Sequence, residues 1–293
     1  MNLWQQYLRP TSVAEAVDAL CSAPGPAIPI AGGTDLMLDL QQGRHAPVHT
    51  LVDLTFVDEM MALEIRGEVL FIGAAVPVTR VVQDALVLEH AQALVEAAGL
   101  IGGPQVRNMA TLGGNAAHAL PAGDGTIALT ALDAQVEVAG PAGGRSAAFP
   151  SLFAGPGKST LKKGEELVVG FRVQRRRKGQ ASCFKRIMRP QGVALPILNT
   201  AVWVERAGDE IADLRIAVGP AGPVPFRALQ TEAFLRGKRY SSELAAASIQ
   251  TLLSEAKFRS SPQRAGADYR RHLIGGLFMD TLQTAWERAG KGL

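Results

Sequence analysis

Apolar residues recur every three to four positions over Val13, Ala16, Val17 and Leu20, the spacing of one helix face. Ser12 and Glu15 stand at capping-box spacing at its start, and Pro24-Gly25-Pro26 stops it. Ala27 to Ile30 then predicts a short buried strand that runs into Ala31-Gly32-Gly33-Thr34-Asp35. Thr34 or Asp35 can cap a short helix through Leu40, ended by Gly43. Val48 to Leu54 reads as another strand. The order strand, loop, helix, strand predicts a small α/β unit over residues 1–57.

The pattern changes after Met61. Leu63 to Arg66 and Val69 to Ile72 flank Gly67-Glu68, a hairpin signal. Thr79 is placed to cap a short helix, and His90 to Ala98 fits another that Gly99 to Gly103 breaks. Asp124 can cap a helix through Ala131. Strands near Val136, Ser146 and Val168 to Val173 complete an α+β unit over residues 58–174. In residues 175–293, Ser182 to Met188, Ile197 to Val204 and Ile211 to Val218 predict three adjacent strands. Their turns fall at Arg189-Pro190-Gln191-Gly192 and Ala207-Gly208-Asp209. Helices follow over Leu229 to Leu235, Ser242 to Ala256 and Ala267 to Arg288, which together predict a compact α+β domain.

Composition narrows the function classes. With 293 residues, 47% hydrophobic and 19% charged, the chain can build two or three cores. Its 30 basic and 27 acidic residues are too balanced to suggest a nucleic-acid partner. The dense basic run Arg175-Arg176-Arg177-Lys178 reads as a solvated turn. Two cysteines, Cys21 and Cys183, with no CxxC pair, argue against a zinc or iron–sulfur site. No apolar run is long enough for a membrane span. The first seven residues lack signal-peptide character, so a cytoplasmic location is expected.

Two glycine-rich segments carry the candidate chemistry. Ala31-Gly32-Gly33-Thr34-Asp35-Leu36 and Thr111-Leu112-Gly113-Gly114-Asn115 each set paired glycines beside hydroxyl and amide side chains. Glycine admits close approach of the backbone, and successive main-chain N–H groups make an anion site. Each pair alone could be a tight turn; together they favour a phosphate cradle. Two familiar motifs are excluded. Gly155-Pro156-Gly157-Lys158-Ser159-Thr160 lacks the earlier Walker A glycine, since Leu152 stands there. Neither glycine pair fits the Rossmann pattern G-x-G-x-x-G.

In this order, the segments resemble the FAD-binding (medium) subunit of the molybdenum hydroxylases, which include carbon monoxide, xanthine and aldehyde dehydrogenases. Ile30 to Leu36 resembles that family's first FAD loop. Gln105-Val106-Arg107-Asn108, Thr111 to Asn115 and Pro121 to Asp124 resemble its second. Gly155 to Lys158, Phe184-Lys185-Arg186, Val218 to Ala228 and Tyr269 to Leu273 also resemble family segments.

The resemblance implies a vanillyl-alcohol-oxidase-type fold, with FAD held between two subdomains and a C-terminal domain covering the flavin side. Pro29, Ile30, Ala31, Gly32, Gly33, Thr34, Asp35 and Leu36 would bind the pyrophosphate region by main chain. Ala110, Thr111, Gly114 and Asn115 would complete the cradle. Asp124 would contact the nucleotide part, Leu167 and Val168 the adenine region, and Lys185 would lie near the flavin. The resemblance assigns no catalytic side chain and no metal to this chain. It implies electron transfer from [2Fe–2S] clusters on a small subunit, fed by a molybdenum cofactor on a large subunit, to NAD or a quinone. A dimer of such heterotrimers is the implied assembly. A stand-alone FAD oxidoreductase and a non-catalytic scaffold are the alternative readings. His118 is expected to pack within its turn.

Overall fold

A computed structural model describes residues 2–189, 195–262 and 264–291. The N-terminal unit is a parallel sheet of β1 (Gln6–Leu8), β3 (Thr50–Asp53) and β2 (Ala27–Ile30), in that order. Helix α1 (Val13–Cys21) buries Ala16, Val17 and Leu20, the face its periodicity predicts. Ser12 caps it, its Oγ accepting from the Glu15 N–H at 3.2 Å. The reciprocal half is displaced by one residue: the Glu15 carboxylate accepts from the Thr11 N–H at 2.7 Å. Helix α2 (Leu36–Gln41) follows the first glycine loop. Asp35 precedes it without a side-chain capping bond.

The second unit is a five-stranded antiparallel sheet ordered β4-β5-β10-β6-β7. Its strands are β4 (Leu63–Arg66), β5 (Val69–Gly73), β6 (Gln135–Gly140), β7 (Gly143–Ala148) and β10 (Leu167–Gln174). A small hairpin, β8 (Phe153–Gly155) with β9 (Lys158–Ser159), occupies the segment that mimics Walker A. The helices here differ from expectation in several places. α3 (Val78–Gln83) follows Pro77 and is not capped by Thr79, whose hydroxyl donates to Asn108 Oδ1 at 2.7 Å. His90 ends α4 (Ala85–His90), which Asp84 caps, and α5 (Gln92–Gly99) begins only after Ala91. Two helices, α6 (Pro104–Met109) and α7 (Leu112–Ala117), fill the expected second loop. α8 (Asp124–Ala131) has Gly123, not Asp124, as its capping residue. Every residue of α8 is buried, the polar Asp124, Thr126 and Thr130 included.

The C-terminal sheet has four strands where three are expected: β11 (Gln180–Met188), β12 (Pro196–Ala207), β13 (Glu210–Gly219) and the two-residue β14 (Phe226–Arg227). Its helices are α9 (Leu229–Leu235), α10 (Ser242–Glu255) and α11 (Ala267–Gly290). Residues 190–192 of the expected first turn lie outside the described residues.

Alternation along these strands divides the C-terminal sheet between two cores. Phe184, Ala201, Trp203 and Ala217 join the apolar core of the first two units. Their neighbours Cys183, Val202, Val204, Ile216 and Val218 join a second core with α9 to α11. Both faces of the sheet are thereby covered. The free edge of β11 is covered by α5. There Glu96 accepts from the Phe184 N–H at 2.7 Å, and Ser182 Oγ accepts from the Ala93 N–H at 3.0 Å.

Candidate functional site

The first glycine loop leaves β2 at Ile30 and enters α2 at Leu36. Gly33 sits at φ +65°, in the left-handed region. The consecutive N–H groups of Gly32, Gly33, Thr34, Asp35 and Leu36 donate to no protein acceptor among the described residues. A turn followed by a helix start aims such donors into one concavity, which suits an oxyanion.

The second segment is built differently. Thr111 caps α7, its Oγ1 accepting from the Gly114 N–H at 3.1 Å. The Gly113 N–H donates to the Ala74 carbonyl at 3.0 Å, and the Asn115 N–H to the Thr111 carbonyl at 3.0 Å. These three amides are therefore engaged within the protein. What this segment can offer a ligand is side-chain chemistry. Asn115 Nδ2 donates to no protein acceptor among the described residues, while its Oδ1 accepts from Thr126 Oγ1 at 3.4 Å.

The four glycines differ in what forbids a side chain. A Cβ at Gly32 would lie 1.8 Å from the Met109 carbonyl oxygen, so this glycine lets the two segments touch. A Cβ at Gly113 would lie 2.5 Å from the Ala74 oxygen. At Gly114 the nearest atom is Thr111 Oγ1 at 3.3 Å, and the residue is exposed. Only there is the face left open for something other than protein.

The fold thus brings most of the predicted residues together. Gly32 abuts Met109 and Ala110, and Ala110 leads directly into the Thr111 cap. Ala74 bonds to Gly113 on one side and donates to the Val169 carbonyl at 2.9 Å on the other. That places Leu167 and Val168, at the start of β10, beside the second segment. Asn115 Oδ1 would lie 3.2 Å from a Cβ at Gly123, which precedes Asp124.

The side chains of two predicted residues already have partners within the chain. The Asp124 carboxylate is buried and already engaged. Arg186 Nη1 pairs with one oxygen, and Asn199 Nδ2 donates to the other at 2.8 Å. Burial pushes its carboxyl up from the ordinary range, against the pull of Arg186 and Asn199. Lys185 pairs with Asp280 of α11 at 2.6 Å. His118 is exposed at the end of α7 and is not packed in its turn. Arg186 and Asn199 are the residues that sequence reasoning misses. Strand alternation could have found Arg186, because it shares a strand face with the inward Phe184.

Two family models match the chain. The family described as FAD binding domain in molybdopterin dehydrogenase matches residues 3–173. The chain belongs to the FAD-binding medium subunits of the molybdenum hydroxylases. The CO dehydrogenase flavoprotein C-terminal domain matches residues 182–285. Among relatives, the nicotine 6-hydroxylase medium subunit of Paenarthrobacter nicotinovorans is 32% identical, over 97% of this chain and 98% of its own length. The xanthine dehydrogenase FAD-binding subunit of Escherichia coli O157:H7 is 29% identical, over 97% of each. Among solved structures, carbon monoxide dehydrogenase from Hydrogenophaga pseudoflava, lacking the Mo-pyranopterin moiety of its cofactor, has a chain 27% identical. It superposes with a TM-score of 0.91, covering 98% of this chain and 99% of that one. This medium subunit is an oxidoreductase component whose cofactor is FAD. Free main-chain donors, an open glycine face and a spare amide suit a diphosphate-bearing flavin nucleotide.

Proposed function

We propose that this medium subunit carries electrons through its FAD within a larger molybdenum hydroxylase. The observation that carries this reading is the row of unengaged amides from Gly32 to Leu36, pressed against the Thr111-capped helix. Pro29 to Leu36 would hold the pyrophosphate region, with Thr111, Gly114 and Asn115 closing the site from the other side. Leu167 and Val168 border it. When bound, the flavin accepts and gives up two electrons; the chain binds it, orients it and sets its electrostatics. No nucleophile or acid–base pair of this chain is required.

The electrons come from [2Fe–2S] clusters of a small subunit, which receives them from a molybdenum cofactor on a large subunit. They leave to NAD or a quinone. The assembly is a dimer of such heterotrimers in the cytoplasm. Relatives named as medium chains and FAD subunits of dehydrogenases support this arrangement, and two unpaired cysteines are compatible with a reducing compartment. Purification of the native complex tests it: molybdenum and iron should accompany FAD in fixed ratio, and a metal-free flavoprotein would leave the stand-alone oxidoreductase reading.

Gly114→Val tests the cradle itself. A Cβ at Gly114 meets only Thr111 Oγ1, at 3.3 Å, so the variant should remain folded. It should lose its flavin absorbance. A variant that stays yellow overturns the placement of the flavin.

A further inference from the structure

The side-chain amide of Asn115 can turn its Nδ2 toward a ligand only if its Oδ1 is held elsewhere. The first turn of α8 holds it. Thr126 Oγ1 donates to this Oδ1 at 3.4 Å, and a Cβ at Gly123 or Gly125 would lie 3.2 Å from the same oxygen. One wall of the cradle therefore depends on where α8 begins.

That helix does not fix its own start, because Gly123 has no side chain with which to cap it. The C-terminal sheet supplies the hold. Arg186 of β11 and Asn199 of β12 stand directly opposite each other in the ladder, so their side chains leave the same face. Together they take the Asp124 carboxylate by both oxygens: Arg186 Nη1 pairs with Oδ2, and Asn199 Nδ2 donates to Oδ1 at 2.8 Å. Asn199 Nδ2 also donates to the Ala122 carbonyl at 3.1 Å, just upstream. The side chains of Arg186 and Asp124 are 6% and 5% exposed, and neither makes another ion pair among the described residues. A buried pair adds little net stability over apolar packing, since both charges lose their water. With a donor on each oxygen, what it fixes is geometry.

We propose that Arg186 is a positioning residue for the flavin: by locking Asp124 it sets the first turn of α8, and that turn aims the Asn115 amide into the cradle. The proposal rests on the cradle reading above. Arg186 itself bonds to neither glycine segment among the described residues. The C-terminal domain thus takes part in holding FAD from a distance, through one strand pair, one helix start and one amide.

FAD titration of the full-length apoprotein, followed by calorimetry, tests this as a double-mutant cycle. Arg186→Met should raise the Kd roughly threefold to tenfold and no more than Asn115→Ala does, because the same hydrogen bond is at stake. In a chain that already carries Asn115→Ala, adding Arg186→Met should change the Kd by less than about twofold. Arg186→Lys keeps a cation for Asp124 and should recover part of the affinity; no recovery would assign the loss to packing and overturn the proposal. Where the unpaired Asp124 left by Arg186→Met prevents folding, Arg186→Met combined with Asp124→Asn removes both charges and should still raise the Kd. An unchanged Kd in a folded Arg186 variant overturns the proposal. So does an equal loss with and without Asn115, which general loosening of the fold would give. If Asn115→Ala itself leaves the affinity unchanged, the cradle reading falls with the proposal; if only the Arg186 variants are silent, that reading stands.

Discussion

The two glycine segments look alike in sequence and are put to opposite uses. Gly32-Gly33-Thr34 keeps its amides free and presents them as a nest. Gly113-Gly114-Asn115 spends its amides on Ala74 and Thr111 and turns into a helix. The difference teaches that a glycine pair beside hydroxyl side chains does not by itself declare a phosphate loop. What decides is where each N–H goes and what a Cβ would strike. In the first segment the backbone is the ligand-facing group. In the second the backbone is scaffold, and the open face of Gly114 with the Asn115 amide remains for the ligand.

Substitutions can break this contrast, beginning with the most severe. Gly32→Ala drives a methyl into the Met109 carbonyl, so it should cost about 3 kcal/mol or more and show as a large drop in Tm or as insoluble chain. Survival with native Tm would mean the two segments do not touch. Gly33→Val forces a β-branched residue to φ +65°; it should cost at least about 1–2 kcal/mol and abolish flavin uptake, read from the absorbance of the purified chain. Thr111→Ala removes a helix cap and should lower stability by about 1 kcal/mol in chemical denaturation. Thr34→Ala, in the nest, should leave the denaturation midpoint in place, since its hydroxyl bonds to no described protein atom. Equal destabilisation by the two threonine changes would erase the distinction between scaffold and nest. Asn115→Ala acts on the ligand face alone: FAD affinity should weaken by about 1 kcal/mol, measured by flavin titration of apoprotein.

Much of this architecture can be read from the chain. The β4–β5 hairpin is announced by Gly67-Glu68, and α9, α10 and α11 fall within two residues of their apolar periodicity. Strand β1 escapes because all three of its residues are exposed, so no alternation marks it. Helices α6 and α7 escape because glycine, proline and asparagine hide a helix that tertiary contacts create: the Thr111 cap and the Gly113–Ala74 bond. Of the site, the glycine segments and their partners on β10 are legible as motifs. The engagement of Asp124 by Arg186 and Asn199 is not, since those partners lie 62 and 75 residues away and only the packing of α8 against the C-terminal sheet joins them. Burial of a charge reveals a partner; a motif alone reveals only a resemblance.

The division of the C-terminal sheet between two cores has a consequence for protein engineering. Phe184, Ala201, Trp203 and Ala217 belong to the core of the nucleotide-binding half, and Glu96 on α5 holds both the β11 edge and Arg288 of the last helix, the latter at 2.6 Å. The two halves that family comparison separates near residue 180 are therefore not interchangeable modules. A chimera that imports its C-terminal half from a relative must import the matching surfaces of α5 and α8 as well, or it will join two half-cores that do not interlock.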